Sequence, residues 1–111
     1  MTRKPVRPRA AATADFDQIS DYYLAEAGFA VALRLGDAVR TAFRELENAP
    51  GIGSPLLGQR LVRPGLRTLA VSGFPYLICY FERPDYTDVW RILHGSRDLG
   101  AVLDQADFGS G

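Results

Sequence analysis

The sequence has few of the residues on which most site chemistry depends. It contains a single cysteine, Cys79, and a single histidine, His94. One cysteine inside an apolar run excludes a disulfide framework, which favours a reducing compartment. One histidine and one cysteine cannot form the usual zinc ligand set without several carboxylates converging on them. We therefore expect neither a metal site nor a cofactor.

Long hydrophobic runs and targeting signals are also absent. No apolar run approaches the ~18 residues needed to cross a bilayer. The basic N-terminus is not followed by an apolar stretch with a cleavage site, so no secretory signal is recognised. The length of 111 residues fits one domain. We expect a soluble cytoplasmic protein, with residues 1–111 in a single domain and flexible ends at residues 1–4 and 105–111.

The common catalytic and nucleotide motifs are missing as well. A Ser-His-Asp set can be drawn from Ser72 or Ser96 with His94 and Asp98, but no Gly-x-Ser-x-Gly elbow supports it. The Gly51-Ile-Gly53 stretch lacks the glycine spacing and the preceding strand of a nucleotide fingerprint. The sequence therefore gives no sign of a hydrolase or of a nucleotide-binding fold.

The charges are balanced in number but not in position. The net charge is zero, yet residues 10–59 carry seven acids against three arginines, whereas residues 60–98 carry six arginines against four acids. Arginine pairs bidentately with carboxylate or phosphate. Arg67, Arg91 and Arg97 are predicted either to cluster at one edge and bind phosphates or an acidic protein surface, or to form salt bridges with Asp88, Asp98 or Glu82.

The first half of the chain predicts a helical hairpin. A short strand at residues 3–7 ends at Pro8, which suits the first turn of a helix. Gly28 closes that first helix, and a second helix is predicted over residues 29–48, so the two fold back as an antiparallel pair. The first helix carries an apolar stripe with spacings of 4, 3 and 4, formed by Ala12, Phe16, Ile19 and Tyr23.

The second half changes to strand periodicity. Residues 52–65 hold five glycines and prolines and are predicted to form a long loop that carries Arg60 and Arg63. Runs at residues 67–72, 76–81 and 88–94, separated by turn sequences, predict an antiparallel meander, and residues 98–104 predict a short last helix. The fold class is therefore α+β, in the order β-α-α-β-β-β, with the hairpin packed on one face of the sheet.

Alternation in the last strand predicts how it is covered. Strict alternation puts Val89, Arg91 and Leu93 on one face and Trp90, Ile92 and His94 on the other. Neither set is purely polar, so both faces are expected to be covered, the second by another molecule or by the tail of this chain.

Four stretches together resemble ParE-type toxins of the ParE/RelE superfamily, over about residues 5–103. The most specific stretch is the closing segment around His94-Gly95-Ser96-Arg97-Asp98. The others are Arg7-Pro8-Arg9-Ala10, which leads into the first helix, then Arg63-Pro64-Gly65-Leu66-Arg67 and Phe74-Pro75-Tyr76-Leu77-Ile78-Cys79-Tyr80.

This resemblance implies the toxin of a type II toxin–antitoxin pair, with a RelE/ParE-like fold and an antitoxin of ParD kind. ParE members are described as poisons of DNA gyrase, whereas RelE members cut messenger RNA in the ribosomal A site. RelE-type toxins place a tyrosine or histidine near the C-terminus for acid–base catalysis, and residues 98–111 contain neither. We therefore expect a binding toxin with no catalytic residue and no sequence-specific DNA binding of its own.

The expected contacts form two sets. Target contacts are expected at Arg60, Arg63, Arg67, Arg91, His94 and Arg97. Antitoxin contacts are expected at Phe16, Ile19, Tyr23 and Trp90. A tyrosine, histidine or carboxylate within bonding reach of the arginines would contradict the non-catalytic expectation.

Two alternatives stay open. One is a RelE-like endoribonuclease that uses Arg67, His94 and Arg97. The other is a toxin that has lost its toxicity and persists in an antitoxin-bound regulatory complex.

Overall fold

The structure is a computed structural model that describes residues 3–98. Its seven elements in that range are β1 (Val6–Pro8), α1 (Ala10–Ala27), α2 (Phe29–Asn48), α3 (Leu56–Arg60), β2 (Leu66–Ala70), β3 (Tyr76–Glu82) and β4 (Thr87–His94). The helices α1 and α2 pack against each other, and α1 also packs on β4. The predicted α+β class, with a helical hairpin on a sheet, is confirmed. The short helix predicted at residues 98–104 and the flexible tail lie outside the described residues.

The four strands form one sheet in the order β1-β4-β3-β2. The antiparallel meander of β2, β3 and β4 agrees with the prediction, but β1 adds a parallel strand beside β4 and makes the sheet mixed. The sequence analysis expected Pro8 to lie in the first turn of the helix. In the structure Pro8 is the last residue of β1, and α1 begins at Ala10. Pro5 and Arg9 make the hydrogen bonds to β4, so the missing N–H of Pro8 lies on the open side of this edge strand.

The start of the chain is anchored at Lys4. Its backbone N–H donates to the carbonyl of Glu47 at 3.2 Å, and its ammonium group lies 2.7 Å from the carboxylate of Glu82. These two contacts join the start of the chain to the end of α2 and to β3.

A β-bulge in β4 overturns the predicted alternation. Tyr80 pairs with Val89 and Cys79 pairs with Arg91, so Trp90 is an extra residue of β4 without a partner in β3. A bulge shifts the side chains that follow it to the other face. As a result Val89 and Ile92 both lie in the core on the helical side of the sheet, and Trp90 and Leu93 both lie in the core on the opposite side.

The second face of the sheet is covered in part by an element that the sequence analysis missed. Residues 52–65 were predicted to be a loop, but α3 forms within them. Leu57 and Leu61 stand one helical turn apart and pack against the core that contains Leu66, Phe81 and Trp90. The packing of this apolar pair stabilises α3 against β2, although the surrounding glycines and prolines disfavour a helix.

Candidate functional site

Arg67 lies in a network that fixes the loop before α3. Its Nη1 donates to the carbonyl of Gly53 at 2.7 Å. The hydroxyl of Tyr80 accepts from the Gly53 N–H and donates to the carbonyl of Pro50, both at 2.8 Å. A Cβ on residue 53 would lie 2.5 Å from that hydroxyl, so only glycine fits there. Burial raises the pKa of Tyr80, which keeps its proton available for the bond to Pro50.

Two of the predicted target arginines line one groove. The groove has a volume of about 440 Å³ and lies between α3 and the start of β2. Arg63 and Arg67 line it together with apolar residues, and the exposed Arg60 lies in the last turn of α3. No aspartate or glutamate occurs between Glu47 and Glu82 in the sequence, so the segments that form this groove contribute arginines and no acidic side chain.

Arg91 is paired with a carboxylate of the first helix. Its Nε and Nη2 donate to the two carboxylate oxygens of Asp15 at 2.7 and 2.8 Å. Asp15 also accepts from the backbone N–H of Ile92 at 3.0 Å. The hydrogen bonds that Arg91 donates to Asp15 raise the pKa of Arg91. The ion-pair alternative therefore holds for this arginine, with a partner in α1 and not Asp88, Asp98 or Glu82.

His94 organises the turn that follows β4. Its Nδ1 accepts from the backbone N–H groups of Ser96 and Arg97 at 3.1 and 3.0 Å, so the neutral ring carries its proton on Nε2. The ring of His94 packs edge-on against Tyr76, with centroids 5.4 Å apart. Its backbone N–H donates to the carboxylate of Asp98. The turn leaves Arg97 exposed at the end of the strand.

The six predicted target residues do not form one cluster. Arg67 of β2 pairs with Tyr80 of β3, whereas His94 of β4 pairs with Tyr76 of β3. Arg67 and His94 are therefore offset by four positions along the strands and lie on strands that flank β3 on opposite sides. The spacings within and between strands put Arg67 and His94 roughly 17 Å apart. Arg60, Arg63 and Arg67 lie in the corner around α3, while Arg91, His94 and Arg97 follow the far end of β4.

The predicted antitoxin contacts are mostly part of the fold's own core. Ile19 is buried between α1 and the sheet, and Phe16 and Tyr23 pack against the same core. Trp90 is buried on the opposite face. An apolar helical stripe is what a sheet needs as cover, and the sequence pattern does not distinguish that role from a docking role. As placed, these four residues do not form an exposed docking surface.

Exposed apolar residues, which the sequence analysis did not select, lie in two other places. One group is near the turn of the helical hairpin, and the other surrounds α3. In the hairpin Tyr22, Leu24, Phe29 and Leu33 are at least half exposed. Around α3, Ile52, Leu56 and Val62 are exposed. The exposure of these residues can be recognised only from the structure, because they do not form a separate apolar stripe in the sequence.

Within residues 3–98, no group of three or more His, Cys, Asp or Glu side chains converges as a metal site would require. In the same range, no helix is both long and apolar enough to cross a membrane.

Together these elements form an α+β fold of the ParE type, with a helical hairpin on a mixed four-stranded sheet. The sequence profile described as "ParE toxin of type II toxin-antitoxin system, parDE" matches residues 6–99. The chain therefore belongs to the ParE toxin family, which confirms the resemblance stated above and implies an antitoxin partner.

A solved structure from P. aeruginosa has the same fold. It is described as a chromosomal ParDE toxin–antitoxin system, and it matches with a TM-score of 0.70 at 23% sequence identity. The match covers 83% of this chain and 96% of that chain. No curated protein matches the sequence.

Proposed function

We propose that this ParE-family toxin acts in the cytoplasm by binding DNA gyrase, without catalysis of its own, and that a ParD-like antitoxin neutralises it. One observation carries the non-catalytic part: Arg67 and His94, two members of the alternative nuclease set, lie roughly 17 Å apart. RNA cleavage needs a base, an acid and a cation around one phosphate, within hydrogen-bonding reach of the reacting atoms.

Two groups bear on this proposal, one beside Arg91 and one beside His94. Asp15 lies within bonding reach of Arg91, and a carboxylate in such a position would contradict the non-catalytic expectation. However, both oxygens of Asp15 are occupied by hydrogen bonds from Arg91 and from the N–H of Ile92. Tyr76 lies beside His94, but it is only 5% exposed, and burial raises its pKa. Neither group is placed to exchange a proton with a bound RNA.

The antitoxin contact is assigned to the outer surface of the helical hairpin. Tyr22, Leu24, Phe29 and Leu33 are at least half exposed there, and the same two helices carry the exposed acids Asp21, Glu26 and Asp37. Exposed apolar residues with a charged rim are typical of a protein–protein interface. This surface replaces the four core residues as the candidate for antitoxin binding.

Two assays run in parallel test the target. Purified toxin is added to a gyrase supercoiling reaction and to a translating ribosome extract. Inhibited supercoiling without cleaved message supports the proposal, and cleaved message with unaffected supercoiling overturns it in favour of the nuclease. If the toxin affects neither reaction but still binds its antitoxin, the regulatory alternative holds.

Co-purification tests the antitoxin surface. The toxin is co-expressed with a ParD-like antitoxin that captures the unmodified chain, and Phe29→Ser with Leu33→Ser is expected to reduce capture. Ile52→Ser, at an exposed apolar position outside the hairpin, is the matched control. Full capture of the double variant would remove the hairpin from the proposal.

A further inference from the structure

The groove beside α3 contains a backbone conformation that does not suit its side chain. Leu61 ends the helix, and Val62 follows with a φ of 54°, in the left-handed region. The N–H of Arg63 donates to the carbonyl of Gly58 at 2.7 Å, and that of Val62 donates to Gln59 at 3.3 Å. This pair of bonds is the helix-terminating motif in which glycine or asparagine usually takes the left-handed position.

A valine at this position destabilises the fold and gains little burial in return. Left-handed backbone is strained for a β-branched residue. The side chain of Val62 is 82% exposed, so it contributes almost nothing to the core. Strain that the fold does not need is commonly found at binding sites. The apolar side chain is therefore better explained by a contact with another molecule.

The surroundings of Val62 determine what kind of molecule fits. Arg63 and Arg67 line the groove, Arg60 lies one turn away, and the stretch from residue 48 to residue 81 contains no acid. Leu56, which is 56% exposed, follows the lining residue Pro55 at the start of α3 and is a second exposed apolar side chain next to the groove residues in the chain. Nucleic-acid interfaces are more polar and more densely basic than this, whereas protein interfaces combine apolar anchors with arginine.

The groove is also held in shape by close backbone contacts. A Cβ on residue 58 would lie 2.5 Å from the carbonyl oxygen of Leu66 and 2.8 Å from that of Arg63, so glycine lets α3 lie directly on the following loop. Ser54 bridges to Thr68 on the edge of β2. A preformed site loses less conformational entropy on binding.

We propose that this groove is a docking site for an acidic protein segment that carries one apolar anchor side chain. The arginines pair with the carboxylates of the segment, and Val62 and Leu56 pack against its anchor. The site is separate from the hairpin surface assigned to the antitoxin. It does not depend on gyrase being the target, so it can be tested independently of the proposed function.

Fluorescence anisotropy with the full chain tests the site directly. The probe is a labelled ten-residue peptide of Asp and Glu with a central leucine, and the comparison probes are its lysine counterpart and a short DNA duplex. The acidic peptide alone is expected to bind, more weakly as salt rises. Binding of the duplex in preference to the peptide, or no binding of the peptide, overturns the proposal.

Variants locate the binding in the groove. Arg60→Ala with Arg63→Ala is expected to weaken peptide binding about tenfold or more, since arginines at interface centres are frequent hot spots. Arg34→Ala, at an exposed position of α2, is the matched control and should leave the affinity unchanged. Equal affinity of the double variant and the control would refute the site.

Val62→Gly separates binding from stability. Glycine relieves the left-handed strain and removes the apolar contact, so thermal unfolding is expected at a higher temperature while peptide binding weakens. A purely structural role for Val62 predicts no loss of binding. Unchanged affinity in the more stable variant would therefore count against the proposal.

Discussion

Asp15 and Arg91 form a two-point ion pair that joins α1 to the centre of the sheet. The carboxylate of Asp15 also accepts the Ile92 N–H, at an edge position of β4 that β1 is too short to cover. One side chain thus neutralises an arginine and replaces a missing strand partner. This explains why an acidic residue stands in the half-buried part of an otherwise apolar helix face.

Asp15→Asn is expected to lower the free energy of unfolding by about 2 kcal/mol. The substitution leaves Arg91 without its counter-charge in a half-buried place, although partial exposure reduces the cost below that of a fully buried pair. Urea denaturation measures the change. Asp17→Asn, at an exposed position of the same helix, is the control and should stay within about 0.5 kcal/mol. Equal effects of the two variants would show that the ion pair is unimportant.

Acid should weaken the fold through Asp88. Arg9 donates to both of its oxygens at 2.9 and 2.8 Å, and these bonds, assisted by Arg83 and opposed by burial, lower the pKa of Asp88 below 3.8. The folded state therefore binds this proton less readily than the unfolded state does. The resulting stability is present above the unfolded pKa and is lost as the pH falls through the folded one.

Urea midpoints measured between about pH 5 and pH 2 test this dependence. Asp88→Asn should be less stable than the parent at pH 5 and should lose less stability on acidification. Asp37→Asn, which removes an exposed carboxylate paired with Arg40, should follow the parent curve. An Asp88→Asn curve parallel to that of the parent contradicts the assignment.

Tyr80→Phe is expected to cost about 1–2 kcal/mol. The variant leaves the Gly53 N–H and the Pro50 carbonyl without the hydroxyl that bonds both of them, and unsatisfied buried groups are destabilising. Thermal denaturation measures the loss, with Tyr22→Phe, at a half-exposed position, as the control. The variant should also bind the acidic peptide less tightly, because the loop that supports the groove loses its anchor.

Cys79 is expected to be unreactive in the folded protein. It is fully buried in the core on the side of the sheet opposite α1 and α2, and burial raises the pKa of its thiol to about 12, although the nearby charge of Arg91 opposes the shift. The thiolate is the reactive form. Iodoacetamide should therefore modify Cys79 only in denaturant, as followed by mass spectrometry. Rapid modification of the folded chain would mean that this core opens readily.

The order of the elements other than α3 could be predicted because it depends on local signals. Apolar spacing in α1 and α2, Gly28 between them and the turn residues around Pro75 and Pro84 are short-range features, and each one is where the structure has it. The parallel pairing of β1 with β4 joins residues about 80 positions apart, and no local pattern encodes it.

Three features of the candidate site could not be predicted from the sequence. The bulge at Trp90 reversed the alternation, the apolar stripe with Ile19 served the core, and Arg91 found a partner in a distant helix. Each of these depends on tertiary packing and not on sequence spacing. The left-handed conformation of Val62 was equally invisible, since valine gives no sequence signal for it.

Arg97 and Arg91 should separate target binding from folding. Arg97 is exposed in the turn after β4, so Arg97→Ala should change the unfolding free energy by less than about 0.5 kcal/mol while weakening gyrase inhibition. Arg91→Ala should destabilise the fold about as much as Asp15→Asn. In the double variant that combines Arg91→Ala with Asp15→Asn, the two losses of unfolding free energy should not add, because both substitutions break the same ion pair. Additive losses would mean that Arg91 and Asp15 stabilise the fold independently. Full inhibition of gyrase by the Arg97→Ala variant would remove Arg97 from the proposed target surface.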